Sequence, residues 1–218
     1  MTKFNSNLQT NFFEYINNEE KAYWLGFLIA DGYIEVATPN SSRLGITLNQ
    51  KDEQHLYKFK QAIQADNIVS TRKYQDKRCK SPTFRAQFRV SNRQLIKDLA
   101  KYSIVPNKTG KEFLPEIDYS LKKHLIRGYI DGDGWIRKQY KTMGFVASNM
   151  QVVNYIQNYL NKEIGVMFKI IDETEKYNAG VINCNLNKRE DSHRALKHLY
   201  ENASVYLDRK KVLVDEIN

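Results

Sequence analysis

The chain has 218 residues, 41% of them hydrophobic, and 34 Lys and Arg against 25 Asp and Glu give a formal charge of +9. That is enough to bury a core as one domain or two small halves, and basic residues spread along the chain favour a folded polyanion-binding surface over a basic disordered arm. A membrane is excluded as partner because no apolar run approaches the roughly 20 residues that span a bilayer, and a secretory route is not expected because no signal peptide is seen at Met1 to Asn5.

Two cysteines, Cys79 and Cys184, are too few for a disulfide scaffold or a zinc site, so reduced thiols in an intracellular protein are expected. Frequent Asn, Lys, Ile and Tyr suggest an AT-rich genome, hence a bacterial or phage-infected cytoplasm or an organelle.

The first predicted helix starts after Asn17-Asn18, with Glu19 and Glu20 in its first turn, and runs to Gly32. Strands at 33–37 and 43–50 follow, joined by a polar turn over Thr38-Pro39-Asn40-Ser41-Ser42. In the second strand Leu44, Ile46 and Leu48 alternate with Arg43, Gly45, Thr47 and Asn49, so one face is apolar and the other hydrogen-bonding. A helix over 52–65 turns Leu56, Phe59 and Ile63 inward, and strands come at 68–74 and 84–90. The last of these sets Phe84, Ala86, Phe88 and Val90 behind Arg85, Gln87 and Arg89, side chains suited to bases and phosphates. A helix over 92–102 closes the unit.

Val105 to Pro115, with two prolines and a glycine, reads as a connector. The order then repeats: a helix at 119–132, strands at 135–140 and 142–148, a helix at 150–162, strands at 167–173 and 181–187, a helix at 189–200 and a terminal helix from Leu207. The fold class is therefore α+β. Two αββαββα halves, residues 1–104 and 118–218 around a linker at 105–117, form antiparallel sheets whose polar faces make a saddle wide enough for a DNA major groove.

The repeat is anchored by two segments. Trp24 to Gly32 and Ile126 to Gly134 share one grammar, and Gly26 and Gly128, Asp31 and Asp133, and Gly32 and Gly134 keep one constant offset. This is an internal duplication. Gly26 with Ala30, and Gly128 with Gly132, lie four apart on one helical face and admit a second backbone, so the two helices pack on each other. Asp-Gly at each end predicts a left-handed glycine cap. Asp31 and Asp133 then emerge side by side and repel unless a cation sits between them. A divalent metal suits that role, with the carbonyls of Ala30 and Gly132 as further ligands.

At these residues the chain resembles the LAGLIDADG homing endonucleases in their monomeric, two-motif form. Asp31 and Asp133 match the family's metal-binding acid; the earlier acidic position is Ile29 in one copy and Asp131 in the other. The resemblance implies a monomeric endonuclease that uses Mg²⁺, with Mn²⁺ or Ca²⁺ able to substitute in binding, and cuts both strands of double-stranded DNA across the minor groove to leave 3′ overhangs. Gln50 followed by Lys51 resembles the family's water-orienting Gln and its neighbouring Lys, and Asn149 in Ser148-Asn149-Met150 is the counterpart amide. Basic partners after the fourth strands would be Arg93, and Lys188 or Arg189. The alternative is a non-catalytic binder on the same fold, such as a maturase acting on intron RNA. With no Cys start or His-Asn end, an intein splicing domain is not expected, and the chain reads as intron-encoded or as a stand-alone mobile-element protein.

Register places Val181, Asn183 and Asn185 where the first half has Arg85, Gln87 and Arg89. Because Arg favours guanine, Gln and Asn adenine, and Val only a methyl group, the target should be asymmetric. Thr47 and Asn49 join that reading face, and Arg43, Arg72, Arg137, Lys138 and Lys169 are expected on phosphates. Competing assignments are weaker. Asp131-Gly132-Asp133-Gly134 lacks the later ligands of a calcium loop. The four histidines have no zinc spacing, and Trp24 and Trp135 are expected in the core rather than under bases.

Overall fold

The computed structural model describes residues 7–38, 41–75, 82–177 and 180–217. Helix α1 (Glu19–Asp31) is capped by Asn18, whose side chain accepts from the Lys21 amide, and it is apolar all round because both halves cover it. Strands β1 (Gly32–Thr38) and β2 (Ser41–Asn49) follow, then a 3₁₀ turn (Gln50–Asp52), α2 (Glu53–Ala62), β3 (Ser70–Tyr74), β4 (Thr83–Val90) and α3 (Arg93–Ala100). After the connector come α4 (Lys122–Asp133), β5 (Gly134–Arg137), β6 (Thr142–Ala147), α5 (Met150–Ile164), β7 (Lys169–Asp172), α6 (Thr174–Tyr177), β8 (Ile182–Leu186), α7 (Arg189–Tyr200) and α8 (Asp208–Ile217).

The sheets are antiparallel and share one topology, β1-β2-β4-β3 and β5-β6-β8-β7. Their inward faces, Leu44, Ile46, Ala86 and Phe88 in one and Met143, Phe145, Ile182 and Cys184 in the other, are buried against the helices. Pairing of Gly45 with Arg89 and Thr47 with Gln87 is matched by Gly144 with Asn185 and Val146 with Asn183, which is the register expected from the sequence.

The halves meet at α1 and α4. A Cβ on Gly26 would lie 1.9 Å from the Leu125 carbonyl oxygen, and one on Gly128 would lie 2.0 Å from that of Tyr23. Only glycine lets these backbones touch, so the pair brings the two helix ends to the same level.

Several expectations need correction. Gly32 (φ −73°) and Gly134 (φ −92°) are extended, not left-handed. Glycine is needed there because each helix passes directly into a strand, and a Cβ would sit 2.6 Å from the Leu28 oxygen or 2.4 Å from that of Ile130. Strand β5 stops at Arg137, where the chain turns through Lys138 to Lys141. Phe84, assigned to an apolar back, is 49% exposed near the open end of β4, and a helical turn, α6, interrupts the β7–β8 connection. Of the predicted turn, Pro39 and Asn40 lie outside the described residues, as do Cys79 and Met1 to Asn5; Thr38 pairs with Ser41 across it.

Candidate active site and nucleic-acid surface

Because α1 and α4 are in register, their final carboxylates converge: a Cβ on Gly132 would lie 2.4 Å from the Ala30 Cβ and 3.5 Å from Asp31 Oδ2. Burial raises the Asp31 carboxyl above its ordinary range, with Asp52 adding to the shift and Lys210 and Lys108 opposing it. Asp133 is pushed up to about 7, first by burial and then by the charge of Asp31. The repulsion is legible in the sequence; the groups that relieve it are not.

Those groups are Lys108 and Lys210. The Lys108 ammonium donates to the carbonyls of Ile29 (2.6 Å) and Ala30 (2.8 Å) at the end of α1. Lys210 donates to Ile130 (2.5 Å), Asp131 (2.9 Å) and Gly134 (2.6 Å) at the end of α4. Each cation satisfies carbonyls that a helix end leaves unpaired and sits at the negative pole of the dipole. Burial lowers both ammoniums, Lys210 to about 8, while the neighbouring carboxylates oppose that shift. One signal could have found them: Lys108 and Lys210 are separated by the same interval as Asp31 and Asp133. The expected basic partners lie elsewhere, since Ser91 donates to the Ser42 carbonyl at the far end of sheet one, and α3 starts from there with Arg93. Lys188 and Arg189 likewise follow the end of β8 that pairs with Met143, remote from Gly134.

Two hard anionic oxygen donors in a desolvated niche suit Mg²⁺, which is commonly held by one or two carboxylates together with phosphate and water. Among the described residues no third His, Cys, Asp or Glu completes a metal-binding group. The pair therefore fits a divalent ion whose remaining ligands come from substrate and solvent. The Ala30 carbonyl, expected as a ligand, already accepts from Lys108, while Gly132 stands at the meeting of the helix ends.

Gln50 and Lys51 are exposed on the 3₁₀ turn that prolongs β2. Asn49 caps that turn by accepting from the Lys51 amide. Asn149 occupies the matching place in the second half but is committed to structure: it accepts from the amides of Gln151 and Val152 and donates to the Glu112 carbonyl. The Glu112 side chain, also missed, is buried, lies 3.9 Å from Lys108 and accepts from Ser148.

The outward faces differ. In sheet one Gln87 donates to Tyr33 (2.6 Å) and Thr47 (3.2 Å), Arg89 pairs with Glu35 (3.3 Å), and the Arg85 guanidinium stacks 3.7 Å from the Tyr74 ring centre. Arg72 is opposite Arg85, and Arg43 opposite Glu35. In sheet two Lys169 pairs with Asn185 and Ile171 with Asn183, and Asn183 donates to Glu173 (2.6 Å). Trp135 is not in the core: it lies over Gly144, where a Cβ would meet its ring at 2.5 Å, and Arg137 stacks on it at 4.4 Å. Tyr33 covers Gly45 in the same way. Trp24 is buried as expected. Lys138 is turned to Glu216 of α8 (3.0 Å).

Residues 18–117 and 120–200 match the family profile described as a LAGLIDADG-like domain. Comparison with curated protein sequences gave no significant match. Among solved structures the fold is similar to mesophilic variants of the homing endonuclease I-DmoI, at 17% identity and TM-score 0.54 over 88% of this chain and 92% of that one. It is also similar to the homing endonuclease I-WcaI bound to its DNA recognition sequence, at 14% identity and TM-score 0.59 over 94% and 90%. Full-length DUF199/WhiA from Thermatoga maritima aligns at 13% identity and TM-score 0.56, over 98% of this chain and 65% of that one. I-DmoI has been solved with DNA and Mn.

Proposed function

The chain belongs to the family of LAGLIDADG-like domains, and from that premise we propose that it is a site-specific DNA endonuclease dependent on a divalent metal. The observation that carries this reading is the convergence of Asp31 and Asp133 at abutting helix ends, flanked by Lys108 and Lys210 and placed at the strands that open the two polar sheet faces. A helix pair that served only packing would have no use for two half-buried, repelling carboxylates.

Mg²⁺ bound at the carboxylates would polarise a phosphoryl oxygen and lower the pKa of a water. Asp31 and Asp133 would hold the ion, with the Gly132 carbonyl as a further donor. Lys108 and Lys210 offset the charge that builds on the phosphorane-like oxygens and the leaving group. Gln50 and Lys51, exposed beside β2, orient the attacking water. Arg85, Gln87 and Arg89 read bases in one half-site and Asn183 and Asn185 in the other, while Arg43, Arg72, Arg137 and Lys169 hold phosphates. The target is long and asymmetric, the protein acts as a monomer, and cutting leaves 3′ overhangs, as in an intron-encoded or other mobile element.

A second reading is a non-catalytic nucleic-acid binder, such as a maturase on intron RNA. It is favoured by the same lysines, because two ammoniums partly satisfy the carboxylates without a metal. Selection of cleaved sites from a randomised duplex library with Mg²⁺, beside an EDTA control and the Asp31→Asn protein, separates the two. Enrichment of one non-palindromic sequence only with metal and intact Asp31 establishes the nuclease; binding without cleavage establishes the binder.

A further inference from the structure

The two lysines reach the site by different routes. Lys108 lies on a connector that is covalently anchored at both ends, by α3 and by α4. Lys210 lies in the first turn of α8, on the segment that follows α7.

That segment is pinned residue by residue. The Ser204 amide donates to Glu19 (2.8 Å), the Val205 carbonyl accepts from Arg127 (3.0 Å), and the Tyr206 carbonyl accepts from Lys58 (3.2 Å). The Leu207 amide donates to Asp131 (2.8 Å), Asp208 pairs with Lys58 (2.6 Å), and Arg209 pairs with Asp52 (3.1 Å). Glu19, Lys58 and Asp52 all belong to the first half, so the tail is fastened across the molecule.

Asp131 is the centre of this clamp. It is 2% exposed and accepts from the Tyr23 hydroxyl on α1 (2.7 Å), the Tyr200 hydroxyl at the end of α7 (2.5 Å) and the Leu207 amide. Its counterpart in the first copy is Ile29, which is buried among apolar neighbours. Two of its three donors, the Tyr200 hydroxyl and the Leu207 amide, belong to the stretch that leads to Lys210, and the third, Tyr23, ties that stretch to α1 of the first half.

We propose that Asp131 is a positioning residue: with Arg127 it docks the segment Ser204–Lys210 across both halves and thereby delivers the Lys210 ammonium to the end of α4, leaving the placement of Lys108 at the end of α1 independent of it. This rests on the nuclease reading for its consequence but not for the docking itself. An amide in place of the carboxylate would face at least one of the three donors with its own N–H groups.

The test uses the full chain in two arms. In the first, Lys210 and Lys108 are labelled with an amine-reactive reagent and quantified by mass spectrometry. In Asp131→Asn the labelling of Lys210 should rise at least about tenfold as the segment opens locally, with Lys108 unchanged. In the second, nicking of each strand of a supercoiled target is followed with Mg²⁺. Asp131→Asn should slow the same strand that Lys210→Met slows, and Lys108→Met the other. Equal slowing of both strands, or unchanged labelling of Lys210 in folded protein, overturns the proposal. If Asp131→Asn does not fold, Arg209→Ala at the exposed pair should raise Lys210 labelling, with Arg209→Lys restoring protection; no rise overturns the proposal. If the unaltered protein cuts no DNA, the nuclease reading falls and the labelling arm alone decides the docking.

Discussion

Sheet one and sheet two are built to one register and finished with different chemistry. Gly45 and Gly144 both lie under an aromatic ring, and Thr47–Gln87 is matched by Val146–Asn183. Yet the first face carries Arg43, Arg72, Arg85 and Arg89, and the second carries Trp135, Arg137, Ile171 and two asparagines. The motif glycines are held by contacts that admit no side chain and the inward positions keep only their apolar character, whereas outward residues, though several bond to neighbours on their own sheet, are free to change in charge and polarity. The change in charge between the halves therefore falls on the faces where recognition would occur.

The comparison is broken most completely at the motif ends, where the halves are still alike. Asp31→Asn or Asp133→Asn is expected to reduce cleavage below detection while binding, read by mobility shift, stays within about threefold, because the backbone and phosphate contacts remain. Lys108→Met and Lys210→Met should each slow cleavage about a hundredfold, measured as single-turnover rates.

Next comes stability. Gly26→Ala and Gly128→Ala each drive a methyl group into a carbonyl of the opposite helix, and each should cost about 3 kcal/mol or more in urea unfolding. Equal costs would show that the helix pair is symmetric in energy as well as geometry.

The sheet faces should then part company. Arg85→Ala and Arg89→Ala should cost about 1–3 kcal/mol each and relax specificity in one half of the target; Asn183→Ala should do so in the other half. Arg72→Ala or Lys169→Ala should instead weaken all sequences alike and reduce the salt slope by about 1.

Stability should also depend on pH. His55, buried against Tyr23 in the first half, is held down to about 3 from its ordinary 6.5, first by burial and then by Lys58 and Lys210. The unfolded chain takes up this proton below pH 6.5 and the folded chain does not, so stability is lost as pH falls from 6.5 towards 3, by about 1.4 kcal/mol per pH unit. Asp133 in metal-free protein acts in the opposite sense: its carboxyl, raised to about 7, costs stability as pH rises from 3.8 towards 7. His55→Phe should reduce the first slope, to which His124, held down to about 4, also contributes, and Asp133→Asn should reduce the second, to which Asp31 contributes, each measured against the unaltered protein by urea unfolding at pH 4 to 8.

The repeated Asp-Gly ends, the alternation in β2 and β4 and the element order could be read in the residues because each recurs at a helical or strand period. Trp135 is expected in the core from its place beside the motif, yet it lies on the outward face, because β5 has only four residues and its aromatic face is set by Gly144 on the neighbouring strand. Asn149 resembled an active-site amide, but Asn before a helix is also a cap, and capping is what it does. Lys108 and Lys210 were two among 34 basic residues, brought to the motif ends by tertiary structure from a connector and a terminal helix. Asp131 was noted as a departure between the copies, yet its partners at Tyr200 and Leu207 are distant in sequence.

The glycine contact between α1 and α4 also has a consequence for how the chain is made. The helix that fills the centre of the first half is completed only by a helix made about a hundred residues later. During synthesis the first half therefore leaves the ribosome with one side of α1 uncovered, and waits. Its exposed apolar stripe is then a substrate for chaperones or for a second nascent chain until α4 arrives, so the step that closes the molecule falls late in its biogenesis.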